Sequence, residues 1–86
     1  MEIFDQGNSV SDSVKAAIEE AIPGADVRVM SNGNHYAIRV VSAAFADKSI
    51  LQKKRMVYGA ITPFMTGDDA PVHAVDSMET LLPEEA

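Results

Sequence analysis

With 86 residues and 47% hydrophobic content, the chain can build one small core but not two. A net charge of −6 disfavours non-specific attraction to phosphate backbones or anionic lipid as a main activity, and the lack of cysteine excludes a disulfide framework and any metal site completed by the chain's own thiolates. The charge is polarised: Lys48, Lys53, Lys54 and Arg55 make up most of the seven Lys and Arg, while Asp68, Asp69, Asp76, Glu79, Glu84 and Glu85 load the C-terminal end.

Residues 1–10 have no apolar period and read as an N-terminal leader without assigned order, so the domain is expected over residues 11–86. The leader lacks the basic and apolar regions of a targeting signal, and no stretch approaches the ~18 apolar residues of a membrane span. The expectation is a soluble cytoplasmic protein with no membrane partner. From Ser11 onward, Val14, Ala17, Ile18, Ala21 and Ile22 fall at i, i+3, i+4, i+7 and i+8, one apolar stripe on a helix. Ser11, Asp12 or Ser13 is expected to cap it, and Pro23 with Gly24 to stop it.

"ADVRVM" and "HYAIRVVS" then alternate, with Val27, Val29, Tyr36, Ile38 and Val40 on one side and Arg28, His35 and Arg39 on the other. Between them, "SNGN" contains Asn32 and Gly33, which tolerate the positive φ of a tight turn, so a β-hairpin with one wet face is expected. "KSILQKKRMVYGAITPFM" returns to a helical period: Ile50, Val57, Ile61 and Phe64 share a face, with Leu51 and Tyr58 beside them. Pro63 is expected to end or kink this helix, with Thr62 capping a last short turn, and Gly59 reads as a close-packing glycine. "TGDDAP" is a loop, and "VHAVDSMET" has strand spacing, with Val72, Ala74 and Met78 expected on the core side and His73, Val75 and Ser77 on the other.

Helix, strand, strand, helix, strand is an α+β order. It predicts a mixed three-stranded sheet with helices on one face, because the last strand joins the sheet after a helical crossover. This is the order of a class II KH-like domain, although the GXXG loop with which KH domains clamp RNA is absent from the chain.

Candidate chemistry centres on His73 and His35. A lone strand histidine usually holds a backbone carbonyl, and the sharper reading makes one or both metal ligands. A closed tetrahedral zinc site usually takes four Cys or His ligands, which two histidines without thiols do not supply, so a metal bound here needs ligands from a partner. There is no thiol nucleophile, no GxSxG elbow and no glycine-rich phosphate loop, so the protein is not expected to be an enzyme. Lys53, Lys54 and Arg55 read as a solvated helix face, or as a patch for a partner or nucleic acid.

The run "NHYAIRVVSAAFADKSILQKKRMVYGAI", followed by "VHAV" and "LLPEE", resembles the BolA-like protein family, IbaG-type bacterial members included. Asp47 stands where that family often has glycine, "KKR" replaces "RHR", and the usual C-terminal helix after the final proline is nearly absent. The resemblance implies the KH-like fold and a non-enzymatic adaptor that pairs with a monothiol glutaredoxin. The pair would share a glutathione-assisted [2Fe-2S] cluster in iron–sulfur trafficking or iron and stress regulation. It implies His73 as a cluster ligand, His35 as the candidate second ligand from the hairpin, and a monomer or weak homodimer when alone. Lys53, Lys54 and Arg55 are then expected to help dock the partner or the carboxylates of glutathione. The alternative it implies is a nucleic-acid-binding transcriptional regulator using the basic helix Lys48 to Arg55.

Overall fold

The computed structural model of the protein describes residues 5–33, 35–67 and 70–86, without the side chains of residues 5–9. Its elements are α1 (Asp5–Ala21), β1 (Asp26–Asn32), β2 (His35–Val41), a 3-10 turn (Ala43–Phe45), α2 (Ile50–Met65), β3 (Ala74–Leu81) and a closing 3-10 turn (Pro83–Glu85). The strand order is β1-β2-β3, with β1 antiparallel and β3 parallel to β2, which is the mixed three-stranded sheet the element order predicts. Among the described residues no helix is long and apolar enough to cross a membrane.

α1 starts earlier than its apolar stripe. It runs from Asp5, so Ser11, Asp12 and Ser13 lie inside the helix and cap nothing, and six residues assigned to the leader, 5–10, are helical; residues 1–4 fall outside the described ones. The stripe marks only the part that packs, and once those turns form, each added residue contributes a ladder bond upstream. Val14 and Ile18 are fully buried, Ile22 nearly so, and Val10 is half-buried against the same core. Gly24, at φ 84°, turns the chain toward β1.

The hairpin register pairs Asn32 with His35, which puts the turn within the expected Ser31–Asn34 stretch. Gly33 holds φ 65°, suited to the first central position of a type I′ turn, and Asn34 lies outside the described residues. Val27, Tyr36, Ile38 and Val40 point into the core beneath α1 and α2, joined by Phe45, Val57, Ile61 and Val72. Among the described residues no helix packs on the other face of the sheet.

α2 begins with a capping box: Gln52 N–H donates to Ser49 Oγ at 3.1 Å, and Ser49 N–H donates to Gln52 Oε1 at 2.8 Å. Just upstream, Asp47 takes φ 65°, a left-handed conformation that favours glycine. Pro63 neither ends the helix at once nor starts a new turn, because α2 continues to Met65; the missing N–H costs only one ladder bond so close to the end. Thr62 is not a cap, since its hydroxyl donates back to Tyr58 O at 2.8 Å. Gly59 is exposed, and a Cβ added there would meet nothing within 4 Å, so close packing does not account for it.

Ile50, Leu51 and Tyr58, expected on or beside the buried face, are 69%, 58% and 38% exposed, and only Val57 and Ile61 are buried outright. The helix begins before the core does. β3 also departs from the predicted alternation: it starts at Ala74, and its register jumps between Tyr36↔Val75 and Ala37↔Ser77. The bulge inserts Asp76 as an extra residue and reverses the phase, so Val75 packs on the core and Ala74 shares the open face with its partner His35.

Candidate functional site

The turn of the hairpin and the start of β3 form one end of the sheet. His35 opens β2 there and pairs in register with Ala74, and His73 immediately precedes Ala74. His73, just before β3, is therefore next in sequence to the residue that pairs with His35. Both side chains are exposed. His73 makes no hydrogen bond to another described residue, which excludes among those residues the carbonyl-holding role that a lone strand histidine most often fills.

His35 has a partner that sequence reasoning missed. Its Nδ1 lies 2.9 Å from Asp76 Oδ1, with the two side chains 57% and 60% exposed. Nδ1–H donating to the carboxylate leaves Nε2 as the acceptor nitrogen, the arrangement by which a second carboxylate commonly orients a metal-binding imidazole. The bulge makes this contact possible, and an alternation pattern gives no sign of a bulge. No group of three His, Cys, Asp or Glu suited to hold a metal exists among the described residues. The candidate donors at this end are two imidazoles, one of them engaged by a carboxylate, and they do not by themselves make a closed metal site.

The basic residues lie elsewhere. β2 runs away from the histidine end, and Ser42 N–H donates to Leu81 O at 2.9 Å at the far end, where the chain turns into α2. α2 then returns, and Val72 N–H donates to Phe64 O at 3.1 Å, which fixes the C-terminal end of the helix beside the start of β3. Lys54 stands ten residues before Phe64, about 15 Å along the axis at 1.5 Å per residue. Lys53, Lys54 and Arg55 thus stand in the first half of α2, toward the end of the molecule opposite that junction. Lys54 and Arg55 are exposed and Lys53 is half-buried.

The open sheet face contributes no free charge to either end. Its cleft of about 310 Å³ is lined by Arg28, Met30, Ala37, Arg39, Ser77 and Glu79, among others. Arg39 faces Glu79 at 3.4 Å, and Arg28 faces Asp26 at 4.0 Å.

A family model described as BolA-like protein matches residues 9–85 of the chain. Among solved structures, a bolA protein homologue from Coxiella burnetii is 28% identical, with 87% of this chain and 92% of that one covered and a TM-score of 0.71. Yeast Fra2 is 30% identical, with 86% and 80% covered and a TM-score of 0.57. The BolA domain of SufE1 from Arabidopsis thaliana is similar in fold, at 21% identity, 91% and 96% coverage and a TM-score of 0.75. No curated protein matches the chain.

Proposed function

This chain belongs to the BolA-like protein family, and on that footing we propose that it is a non-enzymatic adaptor that pairs with a monothiol glutaredoxin and shares with it a glutathione-assisted [2Fe-2S] cluster. One observation carries this reading. Two exposed imidazoles, His35 at the start of β2 and His73 just before β3, stand at one end of a chain without cysteine, and the His73 ring makes no hydrogen bond to another described residue.

His73 supplies a neutral imidazole nitrogen, and His35 supplies Nε2 while Asp76 holds its Nδ1–H. Neither side chain must move out of a core to bind, so the ordering cost is confined to their rotamers. The partner's thiolate and the glutathione thiolate make up the missing sulfur donors. When bound, such a cluster supplies electron-accepting and iron–sulfur transfer chemistry, and imidazole in place of thiolate on one iron raises its reduction potential. The site of action we propose is the cytoplasm, in iron–sulfur trafficking or iron and stress regulation.

The test mixes the purified protein with a monothiol glutaredoxin, glutathione, iron and sulfide. The wild type is expected to give the visible absorption and circular dichroism of a mixed complex. His73→Ala is expected to lose them while its thermal melt matches the wild type, because His73 is exposed. A His73→Ala complex equal to the wild type in spectrum and lifetime would refute the ligand role.

A further inference from the structure

The far end of the molecule holds a surface that the histidine chemistry leaves unused. Leu51, Lys54, Arg55 and Tyr58 fall at i, i+3, i+4 and i+7 of α2 and form one stripe, with Ile50 at its edge. The stripe is turned away from the core, because Val57 and Ile61 are the fully buried residues of this helix. Among the described residues the large exposed hydrophobic side chains are Met30, Ile50, Leu51 and Tyr58, so all of these but Met30 lie on this single helix. Ion pairs among the described residues sit elsewhere, at Asp26 with Arg28, His35 with Asp76, and Arg39 with Glu79.

Exposed leucine and isoleucine beside tyrosine, lysine and arginine is the composition of a protein interface: an apolar and aromatic centre with a charged rim. Solvated helix faces keep their cations but have no use for exposed Ile50 and Leu51. Nucleic acid explains the cations alone, since a phosphate backbone offers nothing to cover those apolar side chains. An acidic protein segment answers both halves of the surface, and the negative charge of the remaining molecule leaves this cationic stripe as the place where such a segment meets attraction.

We propose that the stripe Ile50–Leu51–Lys54–Arg55–Tyr58 of α2 is a second docking surface, which receives an acidic amphipathic helix of a partner protein. The partner's apolar residues would cover Leu51 and Tyr58, and its carboxylates would face Lys54 and Arg55. The stripe shares no residue with the proposed cluster site, and its last member, Tyr58, stands about 9 Å along the axis before Phe64, where the helix meets the start of β3.

The experiment follows the amide resonances of the ¹⁵N-labelled full chain during titration with a synthetic helical peptide that has leucines on one face and glutamates flanking them. Shifts are expected at Ile50, Leu51, Lys54, Arg55 and Tyr58, with His35 and His73 unchanged. Leu51→Asp is expected to weaken binding about tenfold. The pair Lys54→Glu with Arg55→Glu is expected to exchange preference to the same peptide bearing lysines in place of glutamates. All of these positions except the half-exposed Tyr58 are well exposed, and matching thermal melts establish that the variants are folded. The proposal is overturned if no residue of the stripe shifts at millimolar peptide, or if the shifts fall on the histidine end or the open sheet face. It is also overturned if a random-sequence DNA duplex at the same ionic strength displaces the peptide, which assigns the stripe to nucleic acid. Shifts of the same residues on raising protein concentration without peptide assign it to a second copy and likewise overturn the proposal.

Discussion

The two ends of this molecule solve opposite problems. At one end, the hairpin and the first residues of β3 bring His35 to Asp76, 41 residues away in sequence, with His73 just before the strand, and the result is polar, exposed and, on the proposed reading, short of ligands. At the other end, a single stretch of α2 displays Ile50, Leu51 and Tyr58 between cations, and the result is apolar, exposed and short of a cover. One end needs donor atoms and the other needs buried area, and no single small ligand supplies both. On the proposed adaptor reading, the core of this small domain holds two dissimilar surfaces at a fixed separation. The shared core is thin enough that both ends depend on a few side chains.

The strongest test of that comparison is to remove what joins the ends. Phe45, in the turn between β2 and α2, is fully buried and is the largest of the completely buried side chains. Phe45→Ala is expected to cost about 3–5 kcal/mol, a large share of the 5–15 kcal/mol typical of a folded domain, with the denaturation midpoint falling accordingly. Both ends should melt together when followed by amide exchange. If one end keeps its protection while the other loses it, the domain is two cooperative units, and the adaptor picture needs a hinge.

A milder change separates the ends. Ser49→Ala removes the reciprocal hydrogen bonds with Gln52 at 2.8 and 3.1 Å, and with them the cap of α2. The expected loss is about 1 kcal/mol in urea denaturation, with faster amide exchange in the first turn of α2 and unchanged resonances at His35 and His73. An unchanged denaturation midpoint would mean that the capping box does not hold this end of the helix.

The two ends also differed in how far they could be read before the fold was known. Element types and strand order were legible because period 2 in "HYAIRVV" and period 3.6 in Val14–Ile22 are set by side chains that are buried on one face. Boundaries were less so. Asp5–Val10 lacks a stripe but extends a helix that is already nucleated, and Pro63 sits near enough to the helix end to be tolerated. Ile50 and Leu51 fit the apolar period and yet lie outside the core, because periodicity reports phase and is silent on where the opposing surface stops. Phase itself was lost at β3, where one inserted residue moved Val75 to the core and Ala74 to the open face. His73 was legible as a chemical candidate in a chain with a single other histidine, whereas the pairing of His35 with Asp76 depends on that same insertion and on a parallel register that no local pattern encodes. The separation of Lys54 from the histidines likewise follows from the path of α2, a tertiary fact.

The smallest expected effect probes the bulge directly. Asp76→Ala removes the carboxylate 2.9 Å from His35 Nδ1, and because both side chains are more than half exposed, water and salt screen the pair. Stability is expected to fall by about 0.2–0.5 kcal/mol, a melting shift of about 1–3 °C, near the limit of what a thermal scan resolves. The consequence for orientation is larger than the consequence for stability. Without the carboxylate, the His35 ring is free to rotate and to exchange which nitrogen carries the proton, so its ¹⁵N resonances should move toward those of a solvated imidazole while those of His73 stay in place. Unchanged His35 nitrogens in Asp76→Ala would show that the register of β2, and not the inserted aspartate, sets the aim of that ring, and the histidine end would then rest on strand pairing alone.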